Sequence, residues 1–392
     1  MMRDTPSMEG FKEELIRFRR HIHAHPELSF KEKETSQYIC NILDEWKVEY
    51  SAGWAGFGII ATIQANVPTE DFIAIRADMD ALPITEENDV PYKSKRNGVM
   101  HACGHDVHTT CLLGAIKIVL SQRQRLKRNV KFIFQPGEEL LPGGASLMLK
   151  EGAIDPTKCR EIYALHVFPS LETGKIGLRS GPYMASSDEL YIEVQGKGGH
   201  GGMPHLTIDP ILVASHIITG IQSIVSRRCD PTIPCVLTIG KINSEGGATN
   251  IIPTKVHLEG TFRTMDEKWR AEAHSLIVTY CESVAAAHGA EARVIIKKGY
   301  PTLVNDPDMV HKAEKAVARI VGTNNIEYLP IRMTSEDFAW FTQEIKGCFF
   351  RLGTGNQRLG ITAGVHSSRF DVDEDCLIIG AQCLASICFE DQ

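Results

Sequence analysis

Cysteine is scarce in this 392-residue chain: there are eleven, an odd number, and no two form a CxxC pair. That excludes a disulfide-stapled scaffold. No stretch reaches the ~18 uncharged apolar residues that a membrane-spanning helix needs. The opening Met-Met-Arg-Asp-Thr-Pro has no apolar leader segment. A basic surplus is also missing, since 42 Lys and Arg stand against 49 Asp and Glu for a formal net charge of −7. Neither nucleic acid nor a membrane is therefore an expected partner. The densest basic run, Arg123 to Lys131, reads as cations solvating a helix C-terminus. Internal repeats and low-complexity segments are absent. These absences predict a soluble, cytoplasmic protein with reduced thiols, in which a special cysteine is a ligand or nucleophile.

What is present is a chain with 43% apolar and 23% charged residues. At roughly 150 residues per domain it should hold two or three domains. Phe11, Leu15, Phe18 and Ile22 recur at helical spacing after a capping Ser7, and the helix should stop near Pro26. A second helix is expected over 31–46. The period then changes: 57–63 and 72–77 read as buried strands, followed by helix 106–121, strand 129–134, helix 144–151 and strand 161–167. This alternation predicts an α/β domain with a mixed, largely parallel sheet. Between 186 and 297 the order becomes strand 188–195, helix 207–227, strands 234–242 and 254–263, helix 267–288 and strand 290–297. That β-α-β-β-α-β order is ferredoxin-like. Helix 307–321, strand 326–329, helix 335–345, strand 347–352 and helix 373–389 then resume the alternation. The predicted division is a discontinuous first domain, 1–185 with 298–392, interrupted by 186–297.

Ligands of such sheets bind at the carboxyl ends of strands. There the sequence puts Asp78 and Asp80, Glu138 and Glu139, His166, the segment His101-Ala-Cys-Gly-His-Asp-Val-His108, and His366. Each has a plainer reading alone: His166 as a core histidine, Glu138-Glu139 as an acidic loop, Cys103 as a small buried hydrophobe. Together, imidazole, carboxylate and thiolate groups converging from separate segments point to a transition-metal site. Gly196-Lys-Gly-Gly-His-Gly201 satisfies GxGxxG, but no helix follows at once and no acidic residue stands about twenty positions on, so a dinucleotide site is not expected. His101 and His108 read as structural or supporting groups. Arg263 and Arg332 have no position-specific support as substrate clamps, and the other cysteines read as buried small residues.

Six ordered segments, Arg76-Ala-Asp-Met-Asp-Ala-Leu-Pro83, His101-Ala-Cys-Gly-His-Asp106, Phe134-Gln-Pro-Gly-Glu-Glu139 with Pro142-Gly-Gly-Ala145, Gly196-Lys-Gly-Gly-His200, Thr249-Asn-Ile-Ile-Pro253 and Ser335-Glu-Asp-Phe338, resemble the M20 metallopeptidase family. The nearest branch is the aminoacylase-like amidohydrolases, which act on N-acyl amino acids, hippurate or indole-acetyl amino acids. The resemblance implies two divalent ions (zinc, manganese, cobalt or nickel) held by Cys103, His105, Glu139, His166 and His366, with Cys103 bridging. It makes Glu138 the general acid/base and Asp80 the group that orients a ligand histidine. It makes His200 an oxyanion-stabilising residue that reaches a neighbouring subunit's site, with Asn250 beside it. Gly137 stands where many members carry alanine, and smallness is all that position is expected to need. The implied activity is hydrolysis of N-acyl-L-amino acids by a homodimer or tetramer whose inserted domain is a dimerisation lid. The alternatives are a dipeptidase or carboxypeptidase with the same ions, and a non-catalytic metal or small-molecule binding protein.

Overall fold

The computed structural model describes residues 8–67 and 69–390; Ser7 lies outside them. The chain divides into two compact units, one of residues 1–181, 304–330 and 337–392, the other of 182–303 and 331–336.

In the first unit an eight-stranded sheet runs in the order Glu49–Trp54, Gly58–Ile63, Asn129–Gln135, Phe72–Asp78, Cys159–Glu172, Gly347–Gly355, Ile176–Leu178, Ile326–Tyr328. The four central strands, from Asn129–Gln135 to Gly347–Gly355, are mutually parallel. All seven residues of Phe72–Asp78 and all nine of Gly347–Gly355 are buried, as expected for strands covered on both faces. Helix His105–Ser121 is buried almost all round and packs with Met8–Ala24 and Cys376–Cys388, joining Leu15, Leu112, Ile116 and Leu384 in one core. The architecture is the mixed, largely parallel α/β fold expected from the alternation.

Three expectations for this unit need correction, and one strand was not expected. The strand holding His166 runs on to Glu172, so His166 is inside a strand and not at its end; parallel pairing with Gly347–Gly355 continues through a bulge and carries it past its neighbour. The helix expected at 335–345 spans only Ala339–Glu344, because Asp337 is held by side-chain bonds to Arg76 and Gln135 and Phe338 is committed to the core. The basic run does not simply cap a helix: Arg123–Arg125 form a 3-10 turn, and Lys131 sits within a strand over the Phe72 ring. Strand Glu49–Trp54 escaped notice because it is largely exposed and carries no apolar alternation.

The second unit is built from Asp188–Gln195, Pro210–Ser223, Cys235–Ser244, Lys255–Thr264, Glu267–Ala287 and Glu291–Lys298. Its sheet is antiparallel in the order 235–244, 255–264, 188–195, 291–298. Asp209 caps the first helix through the N–H groups of Ile211 and Leu212, and Asp266 caps the second through that of Trp269. Leu190, Ile217, Leu258, Phe262 and Ile277 form its own core. Among the described residues no helix is long and apolar enough to cross a membrane. All eleven cysteines are free; Cys229 and Cys235 are only half-buried, contrary to the expectation that they are core residues, because both flank an exposed turn.

Candidate metal centre

Strand Phe72–Asp78 delivers Asp78 and, two residues on, Asp80; the adjacent Asn129–Gln135 delivers Glu138 and Glu139. Arg76 pairs with Ala164, which sets His166 level with these strand ends. Cys103 and His105 arrive at the start of helix His105–Ser121 through Gly104, in the left-handed region at φ +83°. A Cβ there would meet Val167 at 2.5 Å, so only glycine lets the helix start this close to the His166 strand. His366 has φ +64°, a strained value for histidine, and its N–H donates to Ala102 O at 2.7 Å.

These elements bring the five predicted ligands together. Ligand atoms of Cys103, His105 and His166 lie within 4.8 Å of one another, and so do those of Cys103, Glu139 and His366. Cys103 belongs to both sets, the position a bridging thiolate would take. His105, Glu138 and Glu139 form a third such group.

The hydrogen-bond pattern leaves the right atoms open. His105 Nδ1 donates to Asp80 Oδ1 at 3.2 Å, while Nε2 is buried without a partner, 3.7 Å from Asp78 Oδ2, 3.9 Å from Glu138 Oε2 and 4.0 Å from Glu139 Oε1. His166 Nδ1 donates to Val167 O at 2.8 Å, leaving Nε2 3.5 Å from Cys103 Sγ. Glu139 Oε1 is 3.3 Å from His366 Nε2 yet makes no hydrogen bond. Nitrogen, oxygen and sulfur atoms this close in a buried space need protons or a cation between them.

The proton affinities show the same field. Burial disfavours a charged His105, but Asp78, Asp80 and Glu139 outweigh it and raise its pKa to about 10. Burial pushes the Cys103 thiol well above its usual range, and Glu139, Glu138 and Asp78 push it further. A divalent ion reverses both effects, displacing the proton from the imidazole and the thiol. The residues therefore fit a pair of divalent ions, and their imidazole and thiolate donors suit a transition metal better than magnesium or calcium.

A ring of supporting groups surrounds the donors. Asp80 Oδ2 accepts from the Glu139 N–H at 2.9 Å and the Ser29 hydroxyl at 2.7 Å, so this aspartate holds both His105 and the Glu139 backbone. His108 is fully used: Nδ1 donates to Asp78 Oδ1 at 2.5 Å and Nε2 accepts from the Val167 N–H at 2.9 Å. His101 is buried with neither ring nitrogen bonded, and burial lowers its pKa to about 4. Glu32, absent from the sequence reading, accepts from the Gly137 N–H at 2.8 Å; burial and Asp80 raise its pKa to about 7. Gly137 itself is corrected. Its φ is +62° and a Cβ would meet the Phe30 ring at 2.4 Å, so in this chain the position needs glycine and not merely a small residue.

His200 and Asn250 belong to the second unit, where they stand side by side: His200 pairs with Ile251, and Asn250 O accepts from the Gly201 N–H at 2.7 Å. His200 is exposed, and its Nδ1 accepts from the Gly202 N–H at 3.0 Å, which leaves the proton on Nε2 as an outward donor. Arg263 donates through Nη1 to the Met333 carbonyl at 3.2 Å and to the Ser335 hydroxyl at 3.5 Å.

Comparison with known proteins follows from this geometry. The model of peptidase family M20/M25/M40 matches residues 74–390. The chain is 38% identical to the N-acetylcysteine deacetylase of Bacillus subtilis (strain 168), covering 97% of each chain. It is 38% identical to thermostable carboxypeptidase 2 of Saccharolobus solfataricus, over 94% of this chain and 92% of that one. The crystal structure of Bacillus subtilis YXEP, described as a dinuclear metal binding peptidase of the M20 family, superimposes with a TM-score of 0.83 at 34% identity over 97% and 98% of the two chains. With the family model spanning most of its length and relatives of this likeness on either side, the chain is a hydrolase that belongs to peptidase family M20/M25/M40.

Proposed function

We propose that this protein hydrolyses the amide bond of N-acyl-L-amino acids, releasing a carboxylate and a free amino acid. The observation that carries the reading is the pair of buried, unpartnered atoms His105 Nε2 and Glu139 Oε1, facing one another beside the Glu138 carboxylate. The relative named N-acetylcysteine deacetylase supports this substrate class. Cys103, His105, Glu139, His166 and His366 would hold the two ions. When bound, these supply Lewis acidity, polarising the scissile carbonyl and lowering the pKa of water toward about 7. Glu138, with one oxygen inside the cluster, takes the proton from the attacking water and returns it to the leaving nitrogen. Asp80 keeps His105 in the tautomer whose Nε2 is free, and His108 does the same service for the strand of His166 through Val167. His200 donates Nε2–H to the developing oxyanion of a second copy's site, with Asn250 beside it, so the working species is a homodimer. Eleven unpaired cysteines are in keeping with a cytoplasmic setting.

Cleavage of a C-terminal peptide bond with the same groups is the second reading, favoured by the relative named thermostable carboxypeptidase 2. A panel of N-acetyl and N-benzoyl amino acids against dipeptides and N-blocked peptides decides between them. The proposal expects acyl amino acids to show the higher kcat/KM, and a clear preference for peptides overturns it. Mixing Glu138→Gln with His200→Ala subunits should restore part of the activity if sites are shared. A mixture that exchanges subunits and stays inactive contradicts the shared site.

A further inference from the structure

Among the conspicuous motifs, Ser335-Glu-Asp-Phe338 has no part in the chemistry so far. Asp337 is the first residue of the chain's return to the unit that holds the donor cluster. It is completely buried and its carboxylate takes three donors in four contacts: Arg76 Nη2 at 2.7 Å on Oδ1, Gln135 Nε2 at 2.9 Å and 2.7 Å on the two oxygens, and the Ala145 N–H at 3.0 Å on Oδ2. Its own N–H donates to Glu138 Oε1 at 3.3 Å. Arg76, also buried, ties this anchor to the metal side of the cluster by donating at 2.7 Å to Asp78 Oδ2. Asp78 in turn holds His108, which receives the Val167 N–H next to His166. Phe338 lies beneath the Arg76 guanidinium, 5.9 Å from ring centre to Cζ, and closes the anchor from below.

We infer that Asp337 is the positioning residue of Glu138: the clamp of Arg76, Gln135 and Ala145 on its carboxylate fixes the peptide N–H that aims the Glu138 carboxylate. A glutamate side chain has three rotatable torsions, so holding it in one orientation costs conformational entropy unless a neighbour pre-orders it. An asparagine at 337 has nearly the same volume but only one accepting oxygen, and its amide NH2 would face donors. The clamp opens although the space remains filled.

The inference rests on Glu138 acting as the base, and the test separates the two. Wild type, D337N, R76K and E138Q are loaded with Mn(II), and metal content, melting temperature, kcat and KM are measured on an N-acetyl amino acid. D337N should keep its manganese and a KM within about threefold, while kcat falls about 10- to 100-fold, the scale of a misplacement near 1 Å. R76K retains the charge but not the fork, and should lower kcat about 5- to 30-fold in the same pattern. If D337N does not fold, R76K decides alone by the same criteria. Loss of manganese in step with kcat, or an effect confined to KM, overturns the inference. If E138Q is inactive while D337N turns over like wild type, only the role of Asp337 fails. If E138Q turns over normally, the base assignment itself fails, whatever D337N does.

Discussion

Each unit buries a cluster of ionisable groups, and the two clusters are built oppositely. In the inserted unit Asp188 accepts two bonds from Arg270, at 3.0 and 2.6 Å, one from His274 at 2.7 Å and one from the Gly299 N–H at 3.1 Å. Arg270 spends its remaining donors on Glu267 and the Gly299 carbonyl. The Asp188–Arg270 pair is neutral and its bonds are closed. In the first unit the carboxylates Asp78, Glu138 and Glu139 crowd one histidine, and His105 Nε2 and Glu139 Oε1 have no partner. A buried cluster that satisfies itself reads as architecture; one that leaves converging donors open needs a ligand to complete it.

Removing a carboxylate from each side breaks the comparison most sharply. Glu139→Ala should lower turnover by at least about a thousandfold, roughly 4 kcal/mol, with loss of bound metal. The metal-free protein should melt no lower than wild type, because an uncompensated buried charge has gone. A large destabilisation of the metal-free protein contradicts the reading of that cluster as open. Asp188→Ala should do the reverse, leaving metal content unchanged while costing about 3–5 kcal/mol, since the buried Arg270 loses its fully buried carboxylate and keeps only the partly exposed Glu267. Denaturant unfolding followed by tryptophan fluorescence and circular dichroism measures it, and a loss below about 1 kcal/mol would count against a closed cluster.

A smaller effect concerns acid. Burial raises the Asp188 pKa, but His274 and Arg270 outweigh it and hold the carboxyl down at about 2. A depressed native value means that the contribution is present above the unfolded pKa of about 3.9 and is lost as pH falls from there through about 2; it amounts to about 2.5 kcal/mol. The unfolding free energy of wild type should therefore fall more steeply than that of Asp188→Asn between pH 5 and pH 2.5. Parallel curves would remove Asp188 as the cause.

The two clusters also differ in how much of them the sequence reveals. Cys103 and His105 stand out because ligand-type residues cluster just before a helix, and Glu138-Glu139 because they follow a buried strand. The parallel layer and the β-α-β-β-α-β order were legible for the same reason, in uninterrupted apolar runs and their spacing. Supporting contacts were not. Asp337 meets Arg76 across 261 positions and Glu32 meets Gly137 across 105, and no local periodicity encodes such pairs. The need for glycine at 137 was hidden too, because it depends on where the Phe30 ring falls. Asp188 looked like an ordinary strand residue, its meaning supplied by Arg270 and His274 on a helix some eighty residues away.

The central claim is that Cys103, His105, Glu139, His166 and His366 form a site for two divalent ions. Its most direct test is the metal content of the purified chain after chelation, dialysis and re-addition of Mn(II) or Zn(II), with alkylation of Cys103 followed in parallel. The account predicts about two ions per chain after re-addition, with Cys103 shielded from alkylation only when they are bound, and amide hydrolysis that appears and disappears with them. Fewer than one ion per chain, or full hydrolysis by the chelated protein, would contradict it.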